Sequence, residues 1–90
     1  VVILDREGVV VPPGGVTDLD IMVSDGECVM VEVKSRVDLH DIWRFLKTVK
    51  LAEEQEGVRA TRLLVITLET DADTIQRARD FGIKMITSDK

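Results

Sequence analysis

Cysteine and histidine each occur once in this 90-residue chain. No internal disulfide can form, and the four Cys/His ligands of a structural zinc site are missing. Aromatic residues make up 3% with no Tyr, which removes the arrays of stacked rings that single-strand binders use. Lys and Arg number 12 against 17 Asp and Glu, and the resulting charge of -5 with a pI near 4.8 is the wrong sign for a freestanding nucleic-acid binder. No apolar run approaches the roughly 18 residues of a membrane-spanning helix, and the first residues lack the basic and apolar regions of a signal peptide. A soluble, cytoplasmic protein with no membrane partner is expected. The two prolines are adjacent, and no repeat or low-complexity linker divides the chain. With 44% hydrophobic and 32% charged residues it has the apolar surface to fold, as one domain over residues 1–90. Because the chain starts at Val1, it is expected to be a fragment or C-terminal domain of something longer.

Val1–Asp5 and Val9–Val11 are short β-branched runs, and Pro12-Pro13-Gly14-Gly15 interrupts any ladder after them. From Val16 the pattern alternates. Leu19, Ile21 and Val23 fall on one side, with Asp18, Asp20, Met22 and Ser24 on the other. The next segment sets Val29, Val31 and Val33 against Cys28, Met30, Glu32 and Lys34. Between them Ser24-Asp25-Gly26-Glu27 signals a hairpin. Asp38 caps a helix to about Glu56, with Asp41 at its third position and Gly57 beyond its end. Leu63–Leu68 reads as a central strand covered on both faces. Thr70 then opens a second helix bearing Ala72, Ile75 and Ala78, ended at Gly82, and Ile83–Thr87 is a last strand. The predicted order is β-β-β-β-α-β-α-β, an α/β fold with a mixed central sheet flanked by helices.

Loop length sets the hairpin register. A two-residue Asp25-Gly26 loop places Leu19, Ile21 and Val23 beside Met30, Glu32 and Lys34, which buries charge; a three-residue loop aligns the two wholly apolar rows. The second is the expected register. It gathers Asp18, Asp20, Glu32 and Lys34 on one face, three carboxylates and one amine within about 4.5–8 Å of one another. Such a cluster is destabilising unless a cation, Lys34 or a divalent metal, neutralises it, and a metal held by hard carboxylate oxygens is expected to be Mg²⁺ or Mn²⁺.

Asp20 and, after eleven intervening residues, Glu32-Val33-Lys34 resemble the motif of the PD-(D/E)XK nuclease superfamily, the restriction-endonuclease-like fold. Thr17-Asp18-Leu19-Asp20, Asp25-Gly26 and Val31-Glu32-Val33-Lys34-Ser35 look like its Holliday-junction-resolvase-related and archaeal branches, and the resemblance covers nearly the whole chain. It implies that Asp20 and Glu32 ligate Mg²⁺ (or Mn²⁺) with the Val33 carbonyl, and that Asp20, Glu32 and Lys34 are the catalytic set. Among carboxylates, Lys34 suits an orienting and charge-stabilising role better than that of a free-amine base. The family's proline before the first Asp is replaced by Leu19, and its acidic residue on a preceding helix has no counterpart after Val1. Asp18 is an accessory candidate, as a replacement acid or a partner for Lys34, and Ser35 is a second.

A Glu-X-Lys pair alone is ordinary surface charge; the first Asp and the strand–helix alternation are what raise it above that. Arg36, Arg44, Lys47 and Lys50 form either a solvated row or contacts to backbone phosphates. His40 is expected in solvent or near phosphate, Cys28 in the core, and Trp43, Phe45 and Leu46 in the core or on a dimer face. The resulting expectation is a Mg²⁺-dependent endodeoxyribonuclease acting on DNA, assisted by an N-terminal region or second subunit, with a homodimer as one form. The rival is a catalytically inactive nuclease-like domain used for DNA association or dimerisation. A flavodoxin-like nucleotide domain lacks support, because no Gly-rich loop follows a strand.

Overall fold

The computed structural model describes residues 2–5 and 15–88, with side chains from residue 19 onward. The elements are β1 (Val2–Asp5), β2 (Gly15–Asp18), β3 (Asp20–Ser24), β4 (Glu27–Arg36), α1 (Leu39–Glu56), β5 (Arg62–Glu69), α2 (Ala72–Asp80) and β6 (Ile83–Thr87). The order matches expectation, but its first half is composed differently. β1 pairs antiparallel with β2, Val2 opposite Asp18, and the alternating run from Val16 is divided at Leu19 into two strands. The expected Val9–Val11 strand lies outside the described residues.

β3, β4, β5 and β6 form a four-stranded sheet in chain order, antiparallel at β3/β4 and parallel thereafter. Parallel neighbours require crossovers, which α1 and α2 provide, and like-handed crossovers advancing across a sheet lie on one face. The core is on that face. Cys28, Met30, Val65 and Ile83 of the strands pack with Ile42, Phe45, Val49, Ala52 and Ala78 of the helices. The opposite face is more open, with Met22, Val33, Leu68 and Ile86 between 40% and 70% exposed, although Val31 at its centre is buried and Leu64 and Ile66 are half-buried. In β5, Val65 and Thr67 are buried on the helix side, while on the other side Leu64 and Ile66 are half-buried and Leu68 exposed, so the second face is covered only in part.

The hairpin register is the two-residue one, correcting the sequence expectation. Asp25 (φ 51°) and Gly26 (φ 79°) both adopt the left-handed region, as a tight primed turn matching strand twist requires. Ser24 sits opposite Glu27 and Asp20 opposite Val31. Leu19 and Ile21 accordingly join Met30 against the helices. The feared burial of charge is limited because the row leaves the core as it proceeds: Cys28 and Met30 are buried, Glu32 is half-buried and Lys34 exposed.

α1 begins with the expected Asp38 cap and ends at Gly57 (φ 67°), whose N–H donates to the Glu53 carbonyl. α2 is capped by Asp71, which accepts from the Thr74 N–H at 2.8 Å, rather than by Thr70. The Thr70 hydroxyl donates instead to the Val37 carbonyl at 2.8 Å, while the Val37 N–H donates to the Glu69 carbonyl at 3.0 Å. These two bonds fix the short link that leads from β4 into α1.

Candidate active site

The charged cluster forms where β4 outruns the β3 ladder. Val31 is the last β4 residue with a β3 partner, whereas β4 continues beside β5 to Arg36. Glu32 and Lys34 lie on the helix-facing row beyond Met30, opposite Val65 and Thr67, and meet the first turn of α1. The Lys34 ammonium donates to Asp41 Oδ1 in a hydrogen-bonded ion pair. Asp41 also closes the capping box: its Oδ2 accepts from the Asp38 N–H at 2.9 Å, and its own N–H donates to Asp38 Oδ1 at 3.0 Å.

Burial dominates the Glu32 carboxyl and pushes its pKa up; Lys34 opposes this, Asp41 reinforces it and Arg44 opposes it, with a net upward shift. Asp41 moves the other way. Burial is its largest single influence and acts upward, but the Lys34 hydrogen bond, the Asp38 N–H and the Lys34 charge together outweigh it and hold the carboxyl below its usual range. The two carboxyls thus shift in opposite directions, although the Lys34 charge lowers both.

The other predicted residues are distributed as follows. Asp20 is exposed at the start of β3, in the row of Val31 rather than that of Glu32. The register therefore does not bring Asp20 onto the face of Glu32 and Lys34, because alternation changes sides at every residue. Asp18 pairs through its backbone with Val2, and its side chain is outside the described set. Val33 and Ser35 are exposed and fall by alternation on the open face. Arg36 is exposed, and its charge reaches Asp71. Arg44 is half-buried and acts on Glu32, whereas Lys47 is exposed one turn along α1.

Asp41 was legible in the sequence only as a helix-capping acid. The signal for a second role was its place in the first turn of the helix entered directly from the Glu-X-Lys strand. Among the described residues, no group of three or more His, Cys, Asp or Glu is disposed to hold a metal ion, and no helix is long and apolar enough to cross a membrane.

A mixed sheet with helices after its second and third strands, carrying Glu-X-Lys at the free end of a strand, defines a restriction-endonuclease-like α/β domain. Residues 16–84 match the PD-(D/E)XK nuclease superfamily, and the chain belongs to it. No curated protein matches the chain, and no solved structure does. Nucleases of this family generally use divalent metals. The residues here fit such an ion in kind, since Glu32 offers hard oxygen ligands beside a cationic lysine, while Asp20 lies one alternation step away.

Proposed function

We propose that the domain hydrolyses DNA phosphodiesters with Mg²⁺ or Mn²⁺ held by Asp20, Glu32 and the Val33 carbonyl. The observation that carries it is half-buried Glu32 and Lys34 on one row of β4 beyond its β3 ladder, within a chain of this family. A divalent ion bound there supplies Lewis-acid stabilisation and a nucleophilic water at neutral pH. Lys34 leaves Asp41 to donate to the phosphate or attacking water, stabilising developing negative charge. Asp41 restrains Lys34 in the resting state, and Arg44 offsets charge at Glu32. Joint use of Asp20 and Glu32 requires the Asp20 side chain to turn from the Val31 row into the Glu32 row at the start of β3.

A second reading has its own support. Asp20 on the Val31 row and Lys34 engaged by Asp41 suit a nuclease-like domain that associates with DNA or a partner without cleaving it. Nicking of supercoiled, single-stranded and branched DNA, titrated with Mg²⁺ and Mn²⁺, separates the two. Hydrolysis predicts metal-dependent nicking that falls about 100-fold or more in Asp20→Ala, Glu32→Ala and Lys34→Ala, since each removes charge stabilisation from the reacting centre. Absence of metal-dependent nicking by the native protein supports the non-catalytic domain. Nicking that persists in Asp20→Ala would show that Asp20 is not a ligand.

A further inference from the structure

Of the three aromatic residues, Phe45 is fully buried, but Trp43 and Phe81 are 48% and 40% exposed. They meet across α1 and the end of α2, ring centroids 5.4 Å apart and planes tilted by 59°. Two half-exposed rings cost hydration that a purely structural contact would hide. Their setting is cationic on the α1 side, while exposed Asp80 precedes Phe81. His40, Trp43, Lys47 and Lys50 follow one another at three- and four-residue steps, forming one stripe along α1, and all are exposed. Of the acidic residues of this helix, Asp41 is tied to Lys34, and Glu53 and Glu54 follow Lys50 at three- and four-residue steps, where the stripe turns acidic. The stripe therefore carries no carboxylate from His40 to Lys50 and becomes acidic beyond it. Arg44, next to Trp43, is the group whose charge reaches Glu32, so the stripe starts at the edge of the charged cluster.

We infer that Trp43 and Phe81 stack an unpaired base of single-stranded or splayed DNA, with Lys47 and Lys50 against the adjoining phosphates. The inference rests on the nuclease-like reading of the Glu32–Lys34 cluster and names its substrate class: a strand carrying at least one unstacked base. Scarcity of aromatics excludes an extended stacking platform, and one base is what a single ring pair accommodates. A protein partner would also cover apolar rings, but the exposed lysines Lys47 and Lys50 on the same stripe favour a polyanion.

The test uses the single tryptophan of the chain as its probe, in EDTA so that no hydrolysis intervenes. Oligo-dT added to the native protein is expected to quench Trp43 fluorescence, with affinity falling as salt rises, and a blunt duplex of equal length is expected to quench it less. By anisotropy of a labelled oligo-dT, Trp43→Ala and Phe81→Ala each weaken binding about tenfold, the scale of one lost base–ring stack. Trp43→Phe and Phe81→Leu retain the fold, and the first retains most of the affinity. Lys47→Glu with Lys50→Glu reduces binding and flattens its salt dependence. Unchanged affinity in Trp43→Ala, or binding without quenching, overturns the proposal. So does concentration-dependent dimerisation abolished by Trp43→Ala with no effect on oligo-dT. Loss of nicking in every metal with quenching intact sinks only the hydrolytic reading; nicking unaffected by Trp43→Ala sinks only this one.

Discussion

The two faces of the four-stranded sheet are built from similar residues and meet opposite fates. On the helix side Met30 is fully buried and Val65 is 1% exposed; on the other side Met22 is 55% and Val33 66% exposed. Hydrophobicity does not distinguish them. The crossovers do: both parallel connections lay their helices on the same side, so the core cluster forms there, while the other row is half-buried or exposed apart from Val31. The hairpin register then decides which residues join which face, and with them where charge is placed.

That contrast can be broken most forcefully at Met30. Met30→Ala should cost about 2–5 kcal/mol in urea unfolding, because it leaves a cavity among Phe45, Val65 and their neighbours. A smaller effect is expected at the turn that sets the register. Gly26→Ala meets no atom within 4 Å, so its cost of about 1–2 kcal/mol is that of a left-handed backbone, whereas Asp25→Asn, which suits the same turn, should be tolerated. If Gly26→Ala leaves the unfolding midpoint unmoved, the hairpin does not use the two-residue loop.

Two site residues sharpen the comparison with opposite pH signatures. The raised Glu32 pKa means that its contribution is full below its usual 4.5 and is lost as pH rises through the higher folded value. The lowered Asp41 pKa means that its contribution is full above its usual 3.8 and is lost as pH falls through the folded value. Glu32→Gln should therefore raise the melting temperature at pH 7 and have little effect near pH 3. Asp41→Asn should lower it at pH 7, by less under acid conditions. A stabilised Glu32→Gln protein that fails to nick DNA is the signature of a carboxylate kept ionised for function at the expense of the fold. Smallest of all, Met22→Ala on the open face should change stability by no more than about 0.5 kcal/mol, against the cost of the same substitution at Met30.

Much of this arrangement was legible beforehand. Asp38 and Gly57 marked both ends of α1 because caps are local chemistry, satisfied by the chain within a turn. The parallel strands and the Glu32–Lys34 pair followed from alternation and spacing. Register was harder, because it was judged by assuming that an entire row shares one environment. In the structure the row passes from Met30 in the core through half-buried Glu32 to Lys34 in solvent within two alternations, so the burial cost falls on Glu32 alone. The cap of α2 moved from Thr70 to Asp71 because Val37 engages the Thr70 hydroxyl, a tertiary contact invisible to local pattern. Asp41 escaped for the same reason: its partner Lys34 lies in a different element.

That carboxylate has a thermodynamic consequence. One side chain both terminates a helix and tethers a lysine, so the two equilibria are linked: whatever draws the ammonium away leaves the opening turn of α1 with a cap carboxylate no longer braced from the sheet. An anionic ligand captured by Lys34 would thus be felt as faster amide exchange at Leu39–Ile42, a response radiating from the sheet into the helix without any rigid-body displacement.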